Sequence, residues 1–310
     1  MKVTMICGAP ASGKSTLRNS LVTDNTVVLN RDTEGGKVLS LLPKLEAALK
    51  NGKDVILDNL YATAKSRKPF IDLCKSYNVD ITCQIMGTSI EDAQFNFVNR
   101  AMDITGEFPY PEAIKKANHP NVFPPVVLFK YKKEYEKPTT SEGFSSVNVV
   151  PFKRRKDPTL VNKALILDYD GTLRECVGGN GKYPTSIDQI KILPGRREVL
   201  KQYQNNGYKL FGVSNQSGIA KGDLTSEKAV ELFEYTNNQL GIDIEYHFCP
   251  HRSAPLSCYC RKPMSGLFVM LMRKYKLDPS QCIMVGDMTS DKTFASRSGI
   301  KYVDQKDFFK

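Results

Sequence analysis

Short apolar runs alternate along the chain with stretches in which apolar positions recur at helical spacing. Val3-Thr4-Met5-Ile6-Cys7 reads as a buried strand, and residues 16–21 after it read as the start of a helix. Thr26-Val27-Val28-Leu29 is a second short strand. Residues 39–50 mix apolar and charged positions at helical spacing until Gly52 stops them. A strand over residues 54–58, a helix over 65–77, a strand over 80–86 and a helix over 90–100 follow. Val147-Asn148-Val149-Val150-Pro151-Phe152 reads as a last edge strand. The alternation then restarts, with strands at 164–167, 210–215, 246–248 and 283–287. Strands and helices in this order predict α/β domains built on parallel sheets. A chain of 310 residues has room for two of them. Lys153-Arg154-Arg155-Lys156-Asp157-Pro158 is charged and stopped by proline, so residues 153–162 are expected to be a basic linker between domains at 1–152 and 163–310. Its four cations either stay solvated or touch a phosphate backbone.

Charge changes this picture. The net charge is +11, and residues 1–152 carry 19 Lys and Arg against 16 Asp and Glu, leaving 25 against 17 beyond them. A basic surface of this kind suits a polyanion, nucleic acid above all. No stretch approaches the roughly 18 apolar residues that would cross a bilayer, and no apolar leader segment opens the sequence. A soluble, intracellular, cytoplasmic protein without a membrane partner is therefore expected. The eight cysteines are spread too widely to suggest a disulfide framework, which leaves free thiols or a metal site.

The chemistry starts between the first strand and first helix. Gly8-Ala9-Pro10-Ala11-Ser12-Gly13-Lys14-Ser15 has the glycine–four–glycine–lysine–serine spacing of a phosphate-binding P-loop. Its glycines let backbone N–H groups wrap phosphates, and the helix N-terminus adds positive potential. Lys14 reaches the β/γ-phosphates and the Ser15 hydroxyl can hold magnesium. Gly8, Ser12, Gly13, Lys14, Ser15 and Thr16 are thus the candidate nucleotide-binding residues. Asp32 ends the second strand, where it is either a helix cap or a general base for an attacking hydroxyl. Asp58 ends the third and is a candidate for supporting magnesium or its waters. Arg67 and Lys68 are expected to be solvated, with phosphate contact the alternative. Arg100, expected at the end of its helix, is either a surface residue or a cation from a mobile lid.

Residues 8–15, Asn30-Arg31-Asp32-Thr33, Asp58-Asn59 and Glu91-Asp92-Ala93-Gln94 with Asn99-Arg100 together resemble the 5′-hydroxyl kinase domain of polynucleotide kinase/phosphatases. Residues 126–131 and 135–144 are similar to the closing segment of that domain in the animal-type enzymes. The resemblance implies Lys14 and Ser15 on the phosphate donor, Asp32 as base and Arg100 as lid arginine. Gly35 stands where the phage-type enzymes place an arginine.

In the second half, Ala164-Leu165-Ile166-Leu167 leads into Asp168-Tyr169-Asp170-Gly171-Thr172-Leu173. Two acids two apart at a strand end suit phosphoryl-aspartate chemistry, with Asp168 attacking phosphorus, Asp170 protonating the leaving oxygen and magnesium offsetting the repulsion. Ser214, Asn215 and Lys262 supply phosphate contacts, and Asp287 and Asp291 supply acids for the metal, the latter with a structural alternative. This order resembles the haloacid dehalogenase superfamily over nearly the whole half, which implies Asp168 as nucleophile, Asp170 as acid/base and magnesium at Asp168, Asp170, Asp287 and Asp291. Cys249, His251, Cys258 and Cys260 fall within twelve residues and offer four tetrahedral zinc ligands. With Ser214-Asn215-Gln216-Ser217-Gly218 they resemble the zinc-loop subgroup of histidinol-phosphate and heptose-bisphosphate phosphatases, in which that zinc is structural.

The expected architecture is therefore a P-loop NTPase-type parallel-sheet domain followed by a haloacid dehalogenase-type Rossmannoid domain. The expected activity is nucleic-acid end healing: ATP or another NTP phosphorylates 5′-hydroxyl ends, and 3′-phosphates are hydrolysed. Nucleic-acid ends are the expected partners, with a ligase acting downstream. A fusion acting on small metabolites and a binding module with vestigial sites are the alternatives.

Overall fold

The computed structural model describes residues 1–178 and 183–310 and divides into two compact units, Met1–Phe97 with Asn118–Arg155 and Val98–Ala117 with Lys156–Lys310. Both are parallel-sheet α/β domains. The elements run β1 (Val3–Cys7), α1 (Lys14–Leu21), β2 (Thr26–Leu29), α2 (Arg31–Glu34), α3 (Leu42–Lys50), β3 (Asp54–Asp58), α4 (Ala64–Ser76), β4 (Ile81–Met86), α5 (Ile90–Thr105), α6 (Pro111–Ala117), α7 (Val126–Glu134) and β5 (Ser146–Val150). They continue with β6 (Asn162–Leu167), β7 (Arg174–Cys176), β8 (Ile190–Ile192), α8 (Arg196–Asn205), β9 (Lys209–Asn215), α9 (Ser217–Lys221), α10 (Ser226–Leu240), β10 (Glu245–Cys249), α11 (Gly266–Tyr275), β11 (Leu277–Gly286), α12 (Thr289–Ser298), β12 (Lys301–Asp304) and α13 (Gln305–Phe308).

In the first unit the sheet order is β2-β3-β1-β4-β5, parallel throughout. Strand β1 lies in the middle because Val3, Met5, Ile6 and Cys7 are apolar and buried on both faces. Strand β1 pairs with β3 on one side and β4 on the other, and the chain crosses to β2 and β3 before returning past β1 to β4, so the loop after Cys7 sits at the switch point where open sheets bind ligands. As expected, β5 is an edge strand.

Arg67 departs from expectation. It lies on the inward face of α4 with Phe70, Ile71 and Cys74, fully buried, and its fork donates to both Glu142 carboxylate oxygens at 2.7 and 2.8 Å. Its Nη1 donates to the carbonyls of Tyr61 and Glu136. It is therefore neither solvated nor a phosphate contact, but a clamp between α4 and the returning segment. Lys68, one position round the helix, is exposed and pairs with Asp72. Replacing Arg67 with Met should leave Glu142 unpaired and destabilise this unit by about 3 kcal/mol. Urea unfolding followed by circular dichroism would read the loss, and a wild-type midpoint would contradict it.

Helix α5 runs past the expected end at residue 100, because no breaker follows until Gly106 at φ +75°. Arg100 is consequently interior to the helix, and the later part of α5, with α6, groups with the second unit. Arg273 there donates to the Asn99 carbonyl and side chain and pairs with Asp103 at 2.5 Å. Within the expected linker, Arg154 pairs with Asp92 at 2.7 Å and lies over the Phe95 ring, so that cation is docked on the first unit rather than solvated.

The second sheet is also parallel throughout, ordered β10-β9-β6-β11-β12 with β6 central. Leu165, Leu167, Phe233 and Val285 belong to its core. Gly212 is required by close approach, since a Cβ there would come within 2.2 Å of the Tyr169 ring. Strands β7 and β8 form an antiparallel hairpin beyond the Asp168–Asp170 segment.

Candidate active sites

In the first unit the P-loop folds tightly. A Cβ on Gly8 would meet Ser12 Oγ at 2.6 Å and the Met86 side chain at 2.8 Å, and Gly13 takes φ +93° at the N-terminus of α1. Only glycine satisfies either position cheaply. Lys14 Nζ folds back to the carbonyls of Gly8 and Ala9 at 3.1 and 2.9 Å. Helix α1 opens without a side-chain cap and without an acidic residue in its first turn, where Lys14, Ser15 and Thr16 stand. Its first N–H groups are therefore oriented for an anion. Two residues with no motif to announce them hold the loop: Thr88 Oγ1 donates to the Ser12 carbonyl at 2.7 Å, and Asn96 Nδ2 to the Ala11 carbonyl at 3.1 Å.

Asp58 is buried at the end of β3, with one carboxylate oxygen 3.2 Å from Arg18 Nη1 and the other lacking a hydrogen-bond partner among the described atoms. A buried, half-satisfied carboxylate beside the P-loop strand fits a role toward magnesium or its waters. Asp32 does not cap α2. Asn30 does, accepting from Asp32 N at 2.7 Å, while Asn59 accepts from Arg31 N and ties α2 to the end of β3. The Asp32 side chain is exposed and pairs with Arg31 at 2.7 Å. Arg100, in the second unit, lies close enough to the Tyr259 phenol to act on it electrostatically.

The second unit's site forms at the C-terminal end of β6. Lys262, 3% exposed, places Nζ 2.7 Å from Asp168 Oδ1 and 2.7 Å from Asp291 Oδ1. Its backbone is fixed by Asn215, whose Nδ2 donates to the Lys262 carbonyl and whose Oδ1 accepts from Lys262 N, both at 3.0 Å. The Asn215 amide is thus spent on positioning the lysine. Burial is the largest influence on Asp168 and, with Asp291 and Asp170 nearby, pushes its carboxyl up to about 7 against the opposing pull of Lys262. Lys262 is in turn held above its usual value by Asp168 and Asp291, despite burial.

Oxygens of Asp168, Asp287 and Asp291 lie within 4.8 Å of one another. A Cβ on Gly171 would fall 2.4 Å from Asp287 Oδ2, and one on Gly286 would strike the Asp291 carboxyl. Glycine is what lets these acids converge. Together with Asp170 they set four carboxylates against Lys262 and Arg174, an imbalance that a divalent cation would neutralise. The Asp170 side chain does not join the acidic cluster as expected: Arg174 Nε holds its Oδ1 at 2.8 Å, and Gln216 Nε2 reaches its Oδ2 at 3.2 Å and Ser214 Oγ at 3.0 Å. Asp291 takes up the structural alternative weighed for it, since its Oδ2 accepts from Met288 N at the start of α12, and it also stands among the acids that could hold a metal. The roles of Arg174 and Gln216 are not marked by spacing, although an arginine directly follows Leu173 and Gln216 lies in the Ser214–Gly218 motif.

Cys249, His251, Cys258 and Cys260 converge, with Sγ···Sγ 3.6 Å between Cys249 and Cys258 and His251 Nδ1 3.5 and 3.3 Å from Cys249 and Cys260. Bond lengths of about 2.3 Å to sulfur and 2.0–2.1 Å to nitrogen give a tetrahedron with edges of about 3.6–3.8 Å. The four groups therefore fit zinc and leave no room for a water ligand. Tyr110, just before α6, lies beside them: burial first, then the neighbouring thiols, push its phenol up to about 12.

Residues 3–113 match the family described as AAA domain, and residues 163–309 match that described as Polynucleotide kinase 3 phosphatase. The chain is 37% identical over 140 residues to the D-glycero-beta-D-manno-heptose-1,7-bisphosphate 7-phosphatase of Haemophilus influenzae, covering 42% of this chain and 74% of that protein. It is 32% identical over 157 residues to a bifunctional polynucleotide phosphatase/kinase of Schizosaccharomyces pombe, covering 50% of this chain and 35% of that one. Among solved structures, the D,D-heptose 1,7-bisphosphate phosphatase from B. bronchiseptica with magnesium and phosphate matches at 26% identity and TM-score 0.41, over 45% of this chain and 78% of that one. A chain of the Pnkp1/Rnl/Hen1 complex matches at 18% identity and TM-score 0.36, over 98% of this chain and 95% of that one. No described helix is long and apolar enough to cross a membrane. The chain belongs to the haloacid dehalogenase-type phosphatases that include the heptose-bisphosphate 7-phosphatases and the polynucleotide kinase 3 phosphatases, and it carries a P-loop kinase-like domain ahead of that phosphatase half.

Proposed function

We propose that this chain heals nucleic-acid ends, transferring the γ-phosphate of ATP or another NTP to a 5′-hydroxyl and hydrolysing a 3′-phosphate. The observation that carries this is the pairing on one chain of a P-loop site, which adds phosphate, with a phosphatase half that matches the polynucleotide kinase 3 phosphatase family over residues 163–309. Two reactions of opposite sense on one small metabolite would cancel. On the two ends of a nucleic-acid break they prepare a 5′-phosphate and a 3′-hydroxyl, the ends a ligase joins. The net charge of +11 supports a polyanionic substrate.

In the kinase unit, Lys14 and the N–H groups opening α1 bind and orient the donor phosphates. Asp32, exposed in α2 just beyond β2, takes the proton of the attacking 5′-hydroxyl. Ser15 and Asp58 would hold magnesium there. In the phosphatase unit, Asp168 attacks the 3′-phosphate and becomes an aspartyl phosphate, while Asp170 protonates the departing 3′-oxygen and then deprotonates the hydrolytic water. Ser214 and Lys262 bind the phosphate oxygens, and Asp168, Asp287 and Asp291 would hold magnesium. Bound magnesium supplies positive charge that favours ionised carboxylates and stabilises the transferring phosphate. Zinc at the four Cys and His ligands would fix the loop leading into Lys262.

Asp32→Ala should lower transfer of labelled phosphate from ATP to a 5′-hydroxyl oligonucleotide by about 10²–10⁴-fold while leaving 3′-phosphate release unchanged. Wild-type transfer in the variant would remove Asp32 from the mechanism. A second reading, hydrolysis of a phosphorylated sugar, is favoured by the 37% identity to the heptose-bisphosphate phosphatase. It predicts phosphate release from sugar phosphates and none from 3′-phosphorylated oligonucleotides.

A further inference from the structure

We infer that Arg174 is a positioning residue that dedicates Asp170 to the proton transfer at the leaving oxygen, with Thr236 and the Leu232 carbonyl of α10 as its anchor. This rests on the phosphatase reading above. Arg174 is 1% exposed. Its Nε donates to Asp170 Oδ1 at 2.8 Å, and its Nη1 donates to the Leu232 carbonyl at 2.6 Å and to Thr236 Oγ1 at 2.9 Å. The guanidinium lies over the Tyr169 and Phe233 rings, with its carbon 5.4 and 5.2 Å from their centroids. Because Nε and Nη1 are hydrogen-bonded and the planar fork packs against two rings, it fixes where Asp170 Oδ1 stands. The Asp170–Arg174 turn is closed by Gly171 N donating to the Arg174 carbonyl at 2.8 Å.

The consequence lies in which carboxylate oxygen is left for chemistry. Oδ1 is occupied by the arginine, so Oδ2, next to Gln216 Nε2 and through it to Ser214 Oγ, is the oxygen that exchanges the proton. In the first step an Asp168 oxygen bonds to phosphorus, the bond from phosphorus to the ester oxygen breaks, and that oxygen takes the proton from Asp170 Oδ2. In the second, water bonds to phosphorus and gives a proton to Oδ2 as the Asp168–phosphorus bond breaks, restoring both acids. A buried ion pair is a poor stability device compared with an apolar side chain of similar size, so a fully buried arginine on this one carboxylate is best accounted for by orientation.

The leaving group separates orientation from mere structural support. An alkoxide, such as the 3′-oxygen of an oligonucleotide, needs the proton in order to leave, whereas p-nitrophenolate does not. For Arg174→Met, kcat/KM, which reports the steps through departure of the leaving group, should fall about 10²–10³-fold on a 3′-phosphorylated oligonucleotide and less than about 3-fold on p-nitrophenyl phosphate. Thr236→Val, which removes one anchor without touching the charge, should show the same bias at about 10-fold, and it decides the matter if the first variant folds poorly. Equal losses on the two esters, or no loss on the oligonucleotide, would overturn the inference. Wild-type protein inactive on both esters would instead sink the phosphatase reading, so the two failures are distinguishable.

Discussion

Replacing Asp168 with Asn should lower 3′-phosphate release by roughly 10⁴-fold or more while leaving 5′-phosphorylation within about 2-fold. Asn keeps the shape of the carboxylate but not its nucleophilicity, so no aspartyl phosphate can form. The change also alters the field around Lys262, whose Nζ is 2.7 Å from both Asp168 and Asp291, and leaves that ammonium one carboxylate partner instead of two. Phosphate binding therefore survives better than turnover, and kcat should fall far more than KM rises. The kinase is spared because Lys14, Ser15, Asp32 and Asp58 all belong to the first unit, whereas Asp168 belongs to the second. Residual phosphatase turnover within about 10-fold of wild type would assign the attack to another group.

The other large effect is expected at the Cys/His cluster. Each wild-type chain should carry about one equivalent of zinc, and Cys258→Ser should carry none. Metal bound by four protein ligands contributes its binding free energy to folding, so this variant should lose about 10 °C or more in the unfolding temperature of the second unit. The cluster includes Cys260, two residues before Lys262, and the Cys249 carbonyl accepts from Gln216 N at 2.8 Å. Loosening it should displace both Lys262 and the amide that reaches Asp170, so phosphatase turnover should fall with stability. Magnesium should not rescue it, because a hard cation is a poor partner for thiolates. Elemental analysis with both activity assays checks this, and zinc-free wild-type protein with full phosphatase turnover would contradict it.

The candidate catalytic acids that follow apolar strands were legible in the sequence because the constraint on them is local. An apolar strand followed by Asp168-x-Asp170-Gly171, or by the P-loop glycines, marks both a fold position and a chemistry within a few residues. The Cys/His cluster was legible for the same reason, since all four ligands fall in one loop. Burial of Arg67 was not, because its partner Glu142 lies 75 residues away and nothing near position 67 announces it. The roles of Arg174 and Gln216 were hidden for a related reason: only the tertiary fold brings α10 to Arg174 and Asp170 to Gln216. Helix α5 runs on past residue 100 because residues 101–105 carry no breaker, so this continuation was itself legible in the sequence. The Asn30 cap on α2 was obscured by an acid two residues on, Asp32, that looked equally able to serve. Local spacing thus yields the candidate reacting groups, and most of the residues that hold them in place emerge only when distant segments pack.

The central claim is that both reactions act on nucleic-acid ends. Its most direct measurement is a single incubation of the full chain with ATP, magnesium and an oligonucleotide bearing a 5′-hydroxyl and a 3′-phosphate, in the presence of an equal concentration of a heptose bisphosphate. The account predicts that the oligonucleotide gains a 5′-phosphate and loses its 3′-phosphate, with kcat/KM for the 3′ end above that for the sugar. An unchanged oligonucleotide beside a hydrolysed sugar would contradict it.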